Sequence, residues 1–311
     1  MSSPDTLRNF WLADAAEAAY AAGGGTGGGT SAFDEKALQQ ADLLAIDRVI
    51  GCSVIPPKLQ KEEKFDLGSN MAPSSVETKA VDHGILTLTQ YLQSDDNYDL
   101  SISATNQGSL GTSRAFHIYN GITHKDLFGC QLQSLDIVSL TKDITVQISI
   151  WFFRKMKDGS SLTEQAYTSS AISIYNDVSA TINAITSTSL NINMIKETIT
   201  NDIDVSTKAY TIGDLYIRNP AIKGRTVDLE IDYRTRSTNI WGAFHTFVAS
   251  ALELIDATFF DATIVWGSFL TSTLTNITIH KDSPTNSGEY PASGFLDHKA
   301  RFMKGVGFTI A

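Results

Sequence analysis

The sequence predicts a mainly β protein: two tandem β domains, each with a flanking helix, behind a helical N-terminal extension. Three observations predict the β character. In TVDLEIDYR (residues 226–234), Val227, Leu229, Ile231 and Tyr233 fall on one side of an extended chain and Asp228, Glu230 and Asp232 on the other. That is the period of two of a half-buried strand. Ile144, Val146, Ile148 and Ile150 keep the same period in the first half. Charged residues make up only 19% against 42% hydrophobic, so Ser, Thr and Asn must cover much of the surface, as on strands with polar outer faces.

Taken in order, residues 5–22 read as a helix, with Asp5 as N-cap and Leu7, Phe10, Trp11, Ala15 and Ala18 as its apolar stripe. GGGTGGGT (23–30) ends it. Its G-x-G-x-x-G match lacks the preceding strand and following helix of a nucleotide-binding loop, so the run reads as coil. A second helix is expected over 34–48, an extended piece over 52–57, and a polar linker over 58–70. Strands follow at 85–92, 114–120, 128–140 and 143–153, the second of them closed by the turn Asn120-Gly121. The charged stretch 155–161 reads as a loop and marks the domain boundary. Further strands are expected at 171–175, 189–196, 209–217 and 226–234, then a helix over 239–255, then strands at 263–269, 274–281 and 299–310. The division is 1–73 for the extension, 74–158 for the first β domain and 159–311 for the second.

Several functions are excluded or left without support. A formal net charge of −10 argues against a nucleic-acid clamp, which needs clustered Lys and Arg. Cys52 and Cys130 give neither a disulfide framework nor a zinc spacing. The six histidines show no i, i+4 pair and no H-E-x-x-H, so no metal and no cofactor is expected. His117 and His280 lie in expected strands and read as structural. No nucleophile elbow or phosphate loop points to an enzyme. The start of the chain lacks a basic segment followed by an apolar one, so no signal peptide is expected. The most apolar window, 244–270, is broken by Glu253, Asp256 and Asp261 and does not read as a membrane span.

The two halves share an order of parts: a strand, a crossover, then a run of strands. Three passages in that order, DLFGCQLQSLDIVSLTKDITVQISIWFF (126–153), AISIYNDVSATINAITSTSLNINMIKETITND (171–202) and TIGDLYIRNPAIKGRTVDLEIDYRTRSTNIWGAF (211–244), resemble the tail tube proteins of long-tailed bacteriophages and related viruses in their two-domain form. The resemblance covers roughly residues 74–311. It implies two β-sandwich or half-barrel tube domains and a structural role without catalysis. Three chains would form a pseudo-sixfold ring, and rings would stack into a tube in the virion tail, assembled in the host cytoplasm. The implied partners are further copies of the chain, tail proteins such as the tape measure and terminator, and DNA passing non-specifically. On this reading Asp228, Glu230 and Asp232 face the lumen, where fixed carboxylates repel phosphate. Arg154, Lys155 and Lys157 form a loop between rings. A head-tail junction or distal tip protein of the same fold, and a carbohydrate-binding β-sandwich adhesin, are the alternatives.

Overall fold

Alternating strands with one apolar face must bury that face against another layer, and antiparallel pairing through short connections is the direct way to do so. A computed structural model describes residues 10–17, 38–46, 48–64, 75–93, 113–164, 166, 171–183, 185–186, 191–206, 210, 212, 214–218, 220–235, 246–248, 253–255, 259–267, 270–279, 296–303 and 308–310. The fold is mainly β and antiparallel. In chain order the strands are β1 (Phe10–Ala16), β2 (Leu44–Ala45), β3 (Val49–Ile55), β4 (Leu59–Lys64), β5 (Ser75–Val81), β6 (Gly84–Tyr91), β7 (Arg114–Asn120), β8 (His124–Leu140), β9 (Val146–Phe153) and β10 (Lys155–Asp158). There follow β11 (Val178–Ile182), β12 (Ile185–Thr186), β13 (Ile192–Asp204), β14 (Ala221–Thr235), β15 (Thr246–Val248), β16 (Glu253–Ile255), β17 (Phe260–Trp266), β18 (Thr271–Ile279), β19 (Leu296–Met303) and β20 (Phe308–Ile310).

Sixteen of these strands form one sheet, while β4–β5 and β15–β16 are separate hairpins. β8, 17 residues long, is the hub. Its first half pairs with β7 and β10, and its second half with β9 and β13. The β8–β13 ladder, from Met194 opposite Leu140 to Thr200 opposite Ser134, joins the two halves of the chain. A single apolar cluster runs under that seam, including Leu86, Phe116, Ile137, Trp151, Ile195, Leu229, Ile231 and Trp266. Each such Leu or Ile contributes roughly 1.5–3 kcal/mol by leaving water.

The two halves are wired alike, strand for strand. β1, β2, β3, β6, β7, β8, β9 and β10 correspond to β11, β12, β13, β14, β17, β18, β19 and β20. Every pairing within the first set recurs within the second: β3–β6 as β13–β14, β6–β9 as β14–β19, β7–β8 as β17–β18, β1–β7 as β11–β17, and the rest likewise. The irregularities recur as well. The β7–β8 register slips between Arg114 and Phe116, and the β17–β18 register between Phe260 and Ala262. Facing those slips are Gly129 at φ 67° and Asn276 at φ 53°. The β3–β6 register slips between Val49 and Gly51, and the β13–β14 register between Ile192 and Met194. The turns after β7 and β17 each hold a glycine in the left-handed region, Gly121 at φ 88° and Gly267 at φ 76°. Bulges are retained features of a fold, so these fix the alignment of the halves: Leu86 with Leu229, Leu88 with Ile231, Leu127 with Leu274, all buried.

Several expected elements take a different form. Within the stretch expected to be helical over 5–22, Phe10–Ala16 is β1, lying between β7 and β2. Residues 11–15 are all buried, and a short apolar run buried on both faces lacks the alternation that marks a strand. Within the helix expected over 34–48, the described residues hold a 3-10 turn, Gln40–Asp42, followed by β2. The expected linker holds β4, paired to β5. Within the helix expected over 239–255, Thr246–Val248 and Glu253–Ile255 pair as a hairpin. The expected boundary loop is in part a strand: β10 continues β9 along the same edge of β8 after a break at Arg154. The glycine run 23–30 lies outside the described residues.

Candidate functional site: the polar face of the joined sheet

β14 runs between β13 and β19 and turns its two faces to different surroundings. Val227, Leu229, Ile231 and Tyr233 are buried. Asp228, Glu230 and Asp232 are half-buried on the opposite face, as their alternation requires. The rows crossing this face continue over the seam between the halves. Thr198 of β13 stands opposite both Asp228 and Asp136 of β8, and Lys196 opposite both Glu230 and Val138. Asp136 in turn stands opposite Ile148 of β9, which stands opposite Thr89 of β6.

The carboxylates are not a purely acidic row. Lys196 Nζ lies 2.9 Å from Asp136 Oδ2. The register sets Arg301 of β19 opposite Glu230, and Lys299 opposite Asp232. Opposite charges across neighbouring strands stabilise the pairing. The register thus sets both signs of charge around the three acids, with half-buried Val138 and Ile148 further along the same rows, which weakens any long-range repulsion of phosphate.

Arg154, Lys155 and Lys157 separate into different roles. Arg154 is buried, and its Nε donates to the Ile217 carbonyl at 2.9 Å while Nη2 lies 3.4 Å from Asp214. Asp214 also accepts from Arg218 Nε. Arg154 and Lys155 stand over the Tyr216 ring, 5.1 and 5.0 Å from its centroid. They clamp the β13–β14 connection onto the first half. Lys157 lies in β10, its ammonium 5.4 Å from the centre of the Phe128 ring.

Two buried carboxylates, Glu197 and Asp14, escaped the sequence reading. Glu197 sits on the apolar face of β13 between Ile195 and Ile199. Its Oε2 accepts from Trp266 Nε1 at 3.2 Å, and Oε1 has no hydrogen-bond partner. Burial pushes its carboxyl up to about 7, against the hydrogen bonds from Ser272 and Trp266. Burial likewise pushes Asp14 up to about 6, although Arg114 is hydrogen-bonded to it. A further polar group is His117, Asp126 and His124 of the β7–β8 hairpin, of which only His117 is singled out from the sequence, as structural. The Asn120-Gly121 turn in the sequence is the signal for that pairing, since it sets His117 opposite Asp126. Glu197 was signalled by a charged residue at an apolar-face position.

Among the described residues, no group of three or more His, Cys, Asp or Glu side chains is arranged to hold a metal ion. No helix of the described residues is long and apolar enough to cross a membrane. Comparison with protein families and with curated proteins finds no match.

Proposed function

We propose that this chain is a structural protein of the tail tube type, made of two tandem tube domains, that assembles head to tail into three-chain rings. The rings stack into the tube of a virion tail, built in the host cytoplasm, and DNA passes along the polar face that carries Asp228, Glu230 and Asp232. The observation that carries this reading is the strand-for-strand repeat and the contact that, among the described residues, it leaves open. Inside the chain, the outer edge of β13 is covered by β8 of the other half. β3 is the counterpart of β13, and among the described residues it pairs with β6 alone. Ile50 and Ile55 of β3 are about half exposed, at 50% and 48%. An open strand edge is a template for pairing with another chain. A second copy, presenting the counterpart of β8, covers β3 as β8 covers β13, and closed cyclic symmetry then follows.

The mixed charge of the face suits this role: opposed charges bind each other more than they bind phosphate, so DNA is neither held nor strongly expelled. Tape measure and terminator proteins are the further partners proposed on the resemblance. The test is the mass of the assembled species and its appearance in negative stain, for the natural chain and for an Ile50→Lys/Ile55→Lys variant. Both side chains are exposed in the single chain, so the variant folds. The natural chain forms rings or tubes, and the variant stays monomeric because charge on an edge strand opposes pairing. A monomeric natural chain at high concentration sinks the proposal, and so do unchanged rings from the variant.

A further inference from the structure

The first half carries a polar relay that the fold does not require. His117 Nδ1 lies 2.6 Å from Asp126 Oδ1, and His117 Nε2 lies 2.9 Å from His124 Nδ1. His117 and Asp126 are buried and His124 is partly exposed. Trp11 stacks on His117 with centroids 4.9 Å apart, and Tyr119 stacks on His124 at 4.5 Å. The chain closes over the pair at Gly159, whose N–H donates to the His124 carbonyl at 2.9 Å. A Cβ at Gly159 would come within 2.7 Å of Asp126 Oδ1 and 3.0 Å of His117 Cε1, so a side chain there would push the Asp126 carboxylate out of place. In the second half the corresponding positions, set by the shared bulges, hold Thr263 for His117, Thr271 for His124 and Thr273 for Asp126. The same strands thus form without the relay.

Counting protons shows what the relay does. A hydrogen bond between two imidazoles needs one N–H and one lone pair, so His117 Nε2 and His124 Nδ1 share a single proton. With His117 Nδ1 donating to Asp126, the chain of bonds survives when the imidazoles together carry no positive charge or one. When both are cationic, two N–H groups face each other and the bond breaks. The other charges around it are Lys125, ion-paired to Asp158, and Lys157, opposite Asp126 in the register. Tyr119 is the remaining titratable neighbour. Burial and the charge of His117 hold His124 below the usual imidazole value, against the pull of Asp126.

We propose that Asp126, His117 and His124 form an acid-released latch that fixes the start of the segment linking the two halves. That segment is held at a second point, where Thr163 N–H donates to Gln40 Oε1 and Gln40 Nε2 donates to the Thr163 carbonyl, both at 2.7 Å. Neither these bonds nor the Gly159 N–H to His124 carbonyl bond titrates; what titrates is the imidazole pair on which Gly159 packs, so parting the imidazoles loosens the Gly159 end and leaves the Thr163 end held. The latch is independent of the assembly reading.

The experiment follows the imidazole nitrogens by long-range nitrogen-15 NMR and the Gly159 amide by hydrogen exchange, on the full chain from pH 8 to pH 4. Below the ordinary imidazole value of about 6.5, the second imidazole is protonated in the same step that accelerates Gly159 exchange at least tenfold beyond its intrinsic pH dependence. The variant His117→Thr/His124→Thr/Asp126→Thr, which uses the residues of the second half, shows no such step. Should it fail to fold, His124→Asn removes the second proton site, keeps a polar partner for His117, and is likewise flat. Two doubly protonated imidazoles with Gly159 still protected would overturn the latch, as would a step that persists in either variant.

Discussion

Replacing Glu197 by Gln tests the buried carboxylate of β13 most sharply. The carboxyl ordinarily titrates at 4.5 and burial pushes it up to about 7. Its folded value is raised, so the folded state holds the proton more tightly than the unfolded chain. The stability this provides is complete below pH ~4.5 and is lost as pH rises to about 7. Each tenfold change in proton affinity is worth about 1.4 kcal/mol, so the loss across that window is roughly 3 kcal/mol. Glutamine does not titrate. Its carbonyl can still accept from Trp266 Nε1, but its amide N–H groups have no assured acceptor, which costs about 1–3 kcal/mol at every pH. The variant is therefore less stable than the natural chain near pH 4.5 and gains on it by roughly 3 kcal/mol by pH 8. Urea unfolding of the unassembled chain at a series of pH values measures this, and the difference between the two curves cancels every other titrating group. Parallel curves would refute the reasoning, because they would mean that Glu197 ionises in the fold at no cost.

On the apolar face of β14, Leu229→Ala or Ile231→Ala costs about 2–5 kcal/mol, since both side chains are fully buried; urea midpoints that barely move would place β14 outside the core. Exchanging Asp228, Glu230 and Asp232 together for Lys sets like charges opposite Lys196, Arg301 and Lys299. It costs roughly 0.2–1 kcal/mol per pair while leaving the fold in place. On the proposed tube role, particles built with that variant show normal tails and slowed genome release, because the wall now attracts phosphate; unimpaired release would remove these residues from the DNA path. Gly84→Ala puts a methyl within 2.2 Å of the Phe153 ring and costs about 1–3 kcal/mol by overpacking. Adding Phe153→Leu to it recovers part of that loss in thermal melts, whereas additive losses would show that the ring is not the obstacle.

The long alternating strands were legible because their side chains alternate between two faces, although β9 turns the pattern over: Gln147 and Ser149 are buried, and Val146, Ile148 and Ile150 are half-buried. β6, β7, β8, β9, β13, β14, β17 and β18 all hold residues expected to be extended, and Val227 to Tyr233 face the core as their spacing requires. β1 was not legible, because burial on both faces removes the alternation, and its Ala-rich composition favours a helix reading. β10 was hidden by its charges: Lys155, Lys157 and Asp158 suit an exposed edge strand as well as a loop. The repeat was visible only as an order of parts. Its finer match lies in pairings and bulge positions, and those depend on segments far apart in the chain. At the polar face, the three carboxylates were legible, but the cations beside them were not. Lys196, Lys299 and Arg301 come opposite those acids only through the register of the β13–β14–β19 ladder, which no local pattern encodes.

The central proposal is that two like halves in one chain complete a ring by covering the open edge of β3. Its most direct test is the symmetry of the assembled particle, from class averages of the purified chain viewed down its axis together with its mass by native mass spectrometry. Three chains with six similar lobes around an opening are the predicted result. A six-chain ring, or a chain that remains monomeric at high concentration with β3 uncovered, would contradict it.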